Sequence, residues 1–241
     1  MDQITIFGDI HANMPALEAV YADIDNRGLA KLYCLGDLVG YGTFPNEVIT
    51  AVRARNIPTI MGNYDLGVGH NSDDCGCAYT NPKSEALGKL SIAWSNAHTS
   101  DENKAYLREL AATIPLHLGD LRVMLVHGSP RKINEYLFED RPEKSLVRLL
   151  DMAEADVLVC GHTHKPNHRI VADGRHVINA GSVGKPKDGD PRAGYITLTV
   201  DGRHLIVDFI RVDYDVETAA QAIEATDMPD EYAEMLRQGK G

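Results

Sequence analysis

The first third of the chain alternates short apolar runs with segments whose apolar residues recur every three or four positions. The short runs predict strands and the periodic segments predict helices. In order, the predicted strands are Gln3–Phe7, Leu32–Leu35 and Pro58–Met61, and the helices between them are Pro15–Arg27 and Asn46–Arg55. A strand–helix–strand–helix–strand order predicts parallel pairing with right-handed crossovers.

The middle of the chain opens with a stretch that has no periodicity, from Tyr64 to Pro82, in which Gly, Asn, Asp and Ser dominate. It predicts a long loop, and we expect this loop to act as a specificity element or a lid. Beyond it, the pattern predicts helices at Glu85–Asn96, Glu102–Ala112 and Glu143–Met152, and strands at Pro115–Leu118, Leu121–Val126 and Asp156–Cys160.

The last third consists of short strands separated by turns such as Asp173-Gly174, which are typical of hairpins. They predict a second, more antiparallel sheet with strands at Arg169–Ala172, His176–Asn179, Tyr195–Val200 and His204–Arg211, followed by helices at Val216–Ala225 and Glu231–Gln238. Because no linker or repeat interrupts the pattern, we expect a single α/β domain over residues 1–241.

The acidic composition limits the classes of partner. The chain has 24 Lys plus Arg and 35 Asp plus Glu, which gives a formal charge of −11. Such a balance disfavours nucleic acid as a partner, whereas a small anionic substrate stays open because bound metal ions would invert the local field. No apolar run reaches membrane length, so we expect a soluble cytoplasmic protein with no membrane partner. A homodimer is left open.

The cysteines give a weaker indication. Cys34 and Cys160 lie in apolar strand-like runs and are expected to be reduced core residues. Cys75 and Cys77 could form a redox pair or half of a zinc site, but no second cysteine pair accompanies them. An ordinary loop is the favoured interpretation of this stretch.

Polar side chains follow the ends of several predicted strands, each beside a glycine. They are Asp9, His11, Asp37, Asn63, His127, His162 and His164. The carboxyl ends of parallel strands share one crevice, so these side chains should converge. Any one of these histidines alone would more often be a core or surface residue. The recurrence of one pattern at successive strand ends instead predicts a metal site.

The residue types fit two divalent ions that share the carboxylate of Asp37. Ions roughly 3.5–4 Å apart can activate a bridging water and clamp a phosphate, so attack by a metal-bound hydroxide is expected. A mixed nitrogen and oxygen ligand set suits Mn²⁺ first, with Fe, Zn²⁺, Co²⁺ and Ni²⁺ as alternatives, and the lack of thiolates argues against a closed structural zinc site. Asp37, Asn63 and His127 are the expected catalytic residues.

Taken in order, these motifs resemble those of the calcineurin-like metallophosphoesterases. The matching motifs are Asp9/His11, Gly36-Asp37, Gly62-Asn63-Tyr64-Asp65, His127-Gly128 and Gly161-His162-Thr163-His164, and the turn Asn179–Gly184 is similar to that of the small bacterial and archaeal branch. The resemblance implies a four-layer α/β/β/α sandwich of two mixed β-sheets. It also implies one metal held by Asp9, His11, Asp37 and His164, and a second held by Asp37, Asn63, His127 and His162.

One position departs from the family pattern. Where the family often has a histidine that assists the leaving group, this chain has Tyr64, whose unperturbed pKa of about 10 suits a hydrogen-bond donor better than an acid at neutral pH. Tyr64 stays a catalytic candidate in that role. The substitution predicts leaving groups that need little protonation, and therefore a phosphodiesterase or phosphoanhydride hydrolase with a small, nucleotide-like phosphorylated substrate.

Further candidates for substrate contact are Asn13, Arg131 and Lys185. Asn13 could instead cap the following helix, and Arg131 could be a solvated surface residue. Lys187 and Arg192 add positive charge after the same turn as Lys185. Two rival functions remain: a phosphomonoesterase acting on protein or small molecules, and a non-catalytic scaffold with the same fold, because the family includes a subunit of a membrane-trafficking coat.

Overall fold

A computed structural model describes residues 2–79, 81–202 and 204–241. The strands are β1 (Asp2–Phe7), β2 (Leu32–Cys34), β3 (Thr113–Leu118), β4 (Leu121–Val126), β5 (Val157–Cys160), β6 (Asn167–Ile170), β7 (His176–Asn179), β8 (Ala193–Asp201) and β9 (His204–Val212). The helices are α1 (Met14–Asn26), α2 (Pro45–Ala54), α3 (Asn63–Gly69), α4 (Pro82–His98), α5 (Asp101–Glu109), α6 (Glu143–Met152), α7 (Val216–Glu224) and α8 (Glu231–Gln238).

The strands form two mixed sheets. One has the order β2-β1-β8-β9, with β1 parallel to β2 and antiparallel to β8. The other has the order β3-β4-β5-β7-β6, in which β4, β5 and β7 run parallel and the edge strands run antiparallel to their neighbours. Mixed sheets of this kind place the carboxyl ends of β1, β2, β4 and β5 where polar loops can meet.

The two sheets pack face to face through a shared apolar core. Alternate residues of β1, Ile4 and Ile6, point into this core with Val123, Val157 and Ile178 of the other sheet. The opposite faces are covered by helices. Those on one side are α1 and α2, which pack on β1 and β2, and the one on the other side is α6, which packs on β5 and β7. The predicted α/β/β/α arrangement of two mixed sheets is confirmed.

The prediction for the last four strands was wrong in its pairing. We expected them to form a sheet of their own, but β6 and β7 extend the β3–β5 sheet, and β8 pairs with the first strand of the chain. In the register of β1 and β8, Ile4 lies opposite Leu198 and Ile6 lies opposite Ile196, so all four side chains enter the core between the sheets. The burial of these side chains decides a pairing that local turns cannot.

Two local predictions also differ from the structure. The segment at Pro58–Met61 makes only isolated bridges, from Thr59 to Cys34 and from Ile60 to Ala111, because it is short and Pro58 has no N–H to donate. The predicted long loop begins instead as α3, whose glycines Gly67 and Gly69 concealed its helical character. Gly67 allows close packing, since a Cβ there would lie 2.9 Å from Ile92 of α4.

Among the described residues, every helix is too short or too polar to span a lipid bilayer.

Candidate metal centre

The predicted ligands lie together in loops at the carboxyl ends of β1, β2, β4 and β5 and at the start of α3, and all are buried. Several of them have left-handed backbone conformations, which non-glycine residues adopt at a cost of order 1–3 kcal/mol each. The ligands with positive φ are Asp9 (49°), His11 (51°), Asp37 (51°), His162 (66°) and His164 (59°). Such strain is concentrated where a loop must aim its side chain at a fixed point.

Asp9, His11 and His164 form one group whose ligand atoms all lie within 4.8 Å of one another. Asp9 Oδ1 is 3.2 Å from His164 Nε2 and 3.8 Å from His11 Nε2. The Nε2 atoms of the two histidines are 3.1 Å apart. This arrangement gathers two imidazoles and one carboxylate around a single point.

Asp37, His127 and His162 form a second group with the same closeness. His127 Nε2 lies 3.3 Å from Asp37 Oδ2 and 3.0 Å from Asn63 Oδ1, so the amide oxygen of Asn63 joins this group. Asp37 Oδ2 is also 3.6 Å from His11 Nε2 in the first group. The carboxylate of Asp37 therefore faces both groups, as a shared ligand would.

The donor atoms present a chemistry that fits divalent cations. Three of the histidines form a hydrogen bond between Nδ1 and a backbone carbonyl oxygen: His11 with Val39 at 3.0 Å, His127 with Leu35 at 2.8 Å and His164 with Lys185 at 2.6 Å. This leaves the Nε2 atoms to face the centre, which is the usual support for a metal-binding imidazole. His162 Nε2 is buried without a hydrogen-bond partner among the described residues. A metal ion would satisfy that atom.

The pKa shifts of most of the buried candidate ligands favour the deprotonated forms that bind metal ions. Burial alone would raise the pKa of Asp37, but His127 and the neighbouring histidines lower it below its usual range. Burial and the nearby His127 lower the pKa of His162 to about 3, and burial and Lys187 lower the pKa of His164 well below its usual range. Burial lowers the pKa of His127, but the carboxylate of Asp37 outweighs the effect of burial and raises this pKa to about 10. A cation that binds there would therefore displace a proton from His127.

Two glycines bring the backbone against the carboxylates. A Cβ at Gly62 would lie 2.1 Å from Asp37 Oδ1, and a Cβ at Gly161 would lie 2.4 Å from Asp9 Oδ2. Neither distance leaves room for a methyl group beside the oxygen. The glycines of the motifs are therefore explained by contact with ligand side chains, in addition to turn geometry.

Asp65 fixes the loops around Asp37 without facing the centre. Its carboxylate accepts hydrogen bonds from the backbone N–H groups of Asp37, Leu38 and Gly62 at 2.7, 2.8 and 2.9 Å. The bond from Gly62 also caps α3, so one carboxylate ties the helix that begins at Asn63 to the loop after β2. The sequence motif contains Asp65, but its spacing alone did not reveal this bridging role.

The loop that carries Cys75 and Cys77 orients the side chain of Asn63. The Asn63 amide nitrogen donates to the backbone carbonyl of Cys75 at 3.0 Å and to Cys77 Sγ at 3.3 Å, and this turns Oδ1 toward His127. Cys75 and Cys77 are free thiols, as are Cys34 and Cys160, which are buried as expected. Hydrogen bonding to Cys77 lowers the pKa of Cys75 to about 7.

Asn13 and Arg131 make contacts that favour their structural alternatives. Asn13 accepts from Ala16 N at 3.2 Å as the cap of α1 and donates to Gly184 O at 3.0 Å and to the Tyr214 hydroxyl at 3.2 Å. Its amide is thus fully used within the fold. Arg131 has a half-exposed side chain that forms an ion pair with Glu135. Asn13 could bind substrate only by breaking these contacts, whereas the contacts of Arg131 involve Nε and Nη2.

Tyr64 lies beneath the centre, with 1% of its surface exposed. Its ring packs on Tyr41, with centroids 4.7 Å apart, and on His11 at 5.6 Å, and its hydroxyl is 3.4 Å from Ser91 Oγ. Burial raises the pKa of Tyr64 well above its usual range. The hydroxyl therefore points toward α4 within the core, an orientation that does not favour the predicted role as a hydrogen-bond donor to substrate.

Lys185 is the predicted substrate residue that the structure places beside the centre, 3% exposed and with its Nζ 4.9 Å from the centroid of Tyr41. The sequence did not single out Tyr41 or Tyr136, although each ring packs directly on a candidate ligand. Tyr41 lies 4.8 Å from the ring of His11, and Tyr136 lies 4.1 Å from the ring of His162. Neither tyrosine belongs to a motif, so only the fold reveals this proximity.

Comparison with known proteins places this centre in context. A model of the calcineurin-like phosphoesterase superfamily domain matches residues 3–203. An uncharacterized protein of Methanocaldococcus jannaschii is 33% identical over 254 residues, covering 98% of each chain. A crystal structure of a metallophosphoesterase from Sphaerobacter thermophilus has 30% identity and a TM-score of 0.76, and that of a hypothetical protein from Pyrococcus horikoshii OT3 has 25% identity and a TM-score of 0.83, each covering 99% of both chains.

Proposed function

Because the chain belongs to the calcineurin-like phosphoesterase superfamily and is a metal-dependent phosphoesterase, we propose that it uses two divalent ions to hydrolyse phosphodiester or phosphoanhydride bonds in a small, nucleotide-like substrate. The two buried groups that share Asp37 support the pair of ions. We propose Mn²⁺ as the first candidate, because a mixed imidazole and carboxylate set suits it.

The residues of the centre would orient the reacting groups. Bound divalent ions would supply Lewis-acid chemistry, lower the pKa of a water molecule and neutralise phosphate charge. Asp37 faces both ligand groups, and the backbone carbonyls behind His11, His127 and His164 fix their rings. The strained loop conformations hold these side chains before substrate arrives, so little reorganisation is needed when charge develops.

The burial of Tyr64 is the observation that carries the preference for diesters and anhydrides. Its hydroxyl lies 3.4 Å from Ser91 Oγ in the core and so cannot donate a proton to a leaving group. General-acid assistance is worth typically 10²–10⁴-fold, and its loss at this position weighs most on poor leaving groups such as alkoxides. Aryl diesters and phosphoanhydrides release oxygens that need little protonation.

Substrate profiling tests this proposal. Chelator-stripped protein supplied with Mn²⁺ should hydrolyse bis-p-nitrophenyl phosphate with a kcat/KM about 10²-fold or more above that for glycerol 3-phosphate, an alkyl monoester. A His127→Ala variant, which removes one ligand, serves as the control for contaminating phosphatase and should lose the turnover. Faster hydrolysis of the alkyl monoester would instead assign the protein to the phosphomonoesterases. Absence of metal-dependent turnover in folded protein would favour a scaffold.

A further inference from the structure

A cleft of about 350 Å³ opens beside the metal centre. It reaches the centre at two points, through Tyr41 next to His11 and through Tyr136 next to His162. The volume is within the range of pockets that hold small organic ligands, roughly 300–1,000 Å³. A substrate attacked at the centre would therefore place its remaining part in this cleft.

Part of the cleft lining consists of lysines that form no ion pair with an Asp or Glu side chain among the described residues. Among the described residues, no Asp or Glu side chain forms an ion pair with Lys165, Lys185 or Lys187. The last residue of the chain, Gly241, also lines the cleft, and a Cβ there would lie 2.8 Å from Lys185 Nζ. The ammonium of Lys185 is buried, and its hydrogen bond goes to the thioether sulfur of Met235 at 3.6 Å. A buried ammonium served by so weak an acceptor is costly unless an anion joins it.

Lys185 and Lys187 both lie beside the ring of Tyr41. Lys185 Nζ is 4.9 Å and Lys187 Nζ 5.9 Å from the centroid of the Tyr41 ring, and Lys185 Nζ is 5.8 Å from that of Tyr232. These rings support the cations through cation–π contacts but do not supply a negative charge. A phosphate bound here would be separated from His11 by the ring of Tyr41. It could therefore belong to the same substrate molecule as a phosphate at the metal centre.

Another part of the cleft lining is aromatic. Tyr136 stacks on Phe138, with ring centroids 5.4 Å apart and an interplanar angle of 17°, and Phe138 is 45% exposed. Both rings line the cleft together with Tyr79. Tyr136 is half-buried against His162, so the exposed ring of Phe138 extends this nearly parallel pair into the cleft. Such a pair beside a phosphate site is a feature on which a flat heterocyclic base stacks.

We propose that the cleft binds a nucleoside phosphoanhydride: the phosphate next to the bond that breaks lies between Lys185 and Lys187, and the base stacks on Tyr136 and Phe138. This inference rests on the proposed function and narrows its substrate to anhydrides. In the reaction, a water oxygen bonds to the phosphorus at the metal centre and the bridging P–O bond breaks. The bridging oxygen leaves with the bonding pair on the phosphate held by the lysines, and the water proton passes to solvent. The lysine charges stabilise that phosphate, so Tyr64 need not protonate it.

Calorimetric titration of ADP into the chelator-stripped protein of residues 1–241 tests the proposal without turnover. Wild-type protein should bind ADP, whereas Lys185→Met should weaken binding about tenfold or more, since a hydrogen bond to a charged group is lost. Lys187→Met, at a less buried position, should act in the same direction even if Lys185→Met impairs folding. Tyr136→Leu should weaken binding at least about fivefold through lost stacking. Lys144→Met, an exposed lysine on α6, is the matched control and should bind as wild type does.

The outcomes separate this inference from the proposed function. ADP binding that is no tighter than adenosine binding, or that is unchanged in both lysine variants, would overturn the lysine site. Inorganic pyrophosphate binding as tightly as ADP would overturn the base site. Either result together with normal hydrolysis of bis-p-nitrophenyl phosphate would refute the cleft and leave the phosphodiesterase intact. Weakened ADP binding in the variants supports the cleft whether or not that diester is hydrolysed.

Discussion

Replacing Asp37 by Asn should lower kcat/KM for bis-p-nitrophenyl phosphate by about 10³-fold. Asp37 Oδ2 lies 3.3 Å from His127 Nε2 and 3.6 Å from His11 Nε2, so one substitution removes a charged ligand from both groups. Each metal ion contributes several kcal/mol of charge stabilisation in the transition state, and about 4 kcal/mol corresponds to this loss in rate. The measurement is steady-state hydrolysis with saturating Mn²⁺.

The control for this variant is Asp120→Asn, which makes the same chemical change at an exposed turn between β3 and β4. It should leave kcat/KM within about twofold of wild type, because exposed sites away from the centre have small effects. If Asp37→Asn retained more than about a tenth of the wild-type activity with normal metal content, Asp37 would not be a shared ligand.

Gly62→Ala should abolish most of the phosphodiesterase activity, because the added methyl group would displace the carboxylate of Asp37. The added Cβ would meet Asp37 Oδ1 at 2.1 Å and Asp37 N at 2.3 Å, and these atoms belong to a loop held by Asp65. Because neither the backbone nor the carboxylate can move freely, we expect bound Mn²⁺ to fall and kcat/KM to drop by about 10²-fold or more. Metal content and the thermal midpoint are measured together with the rate.

Gly69→Ala in the last turn of α3 provides the matched control. An added Cβ would lie 3.2 Å from the Arg108 side chain, which can make room by moving a few tenths of an ångström. Alanine also has a higher helix propensity than glycine. This variant should retain wild-type metal content and activity. Equal losses in the two variants would show that any added methyl in this region disturbs the fold, and contact with Asp37 would not be the cause.

The candidate centre could be predicted from sequence because each ligand directly follows a strand or a short bridge segment. Asp9 and His11 follow β1, and His162 and His164 follow β5, so the order of strands already implied convergence. The β/β packing was harder to predict. The pairing of β1 with β8 joins residues almost 200 positions apart and depends on burial of both strands in one core.

Side-chain environment was the part that the sequence could not reveal. Tyr64 follows a ligand in the chain and so was expected to face substrate, yet α3 begins at Asn63 and directs the phenol into the core. Lys185 was a candidate for substrate contact, and only packing shows that its side chain is buried against Met235. Periodicity predicts which face of an element is apolar, but it cannot predict which side chains another element covers.

Titration of Mn²⁺ into chelator-stripped protein, with bound ions and turnover of bis-p-nitrophenyl phosphate recorded on the same samples, tests the two-ion centre most directly. If Asp37 is shared between the two ligand groups, as we propose, two ions should bind per chain and turnover should rise with occupancy of the second. Full turnover with one ion bound per chain, or turnover that does not depend on bound metal, would contradict it.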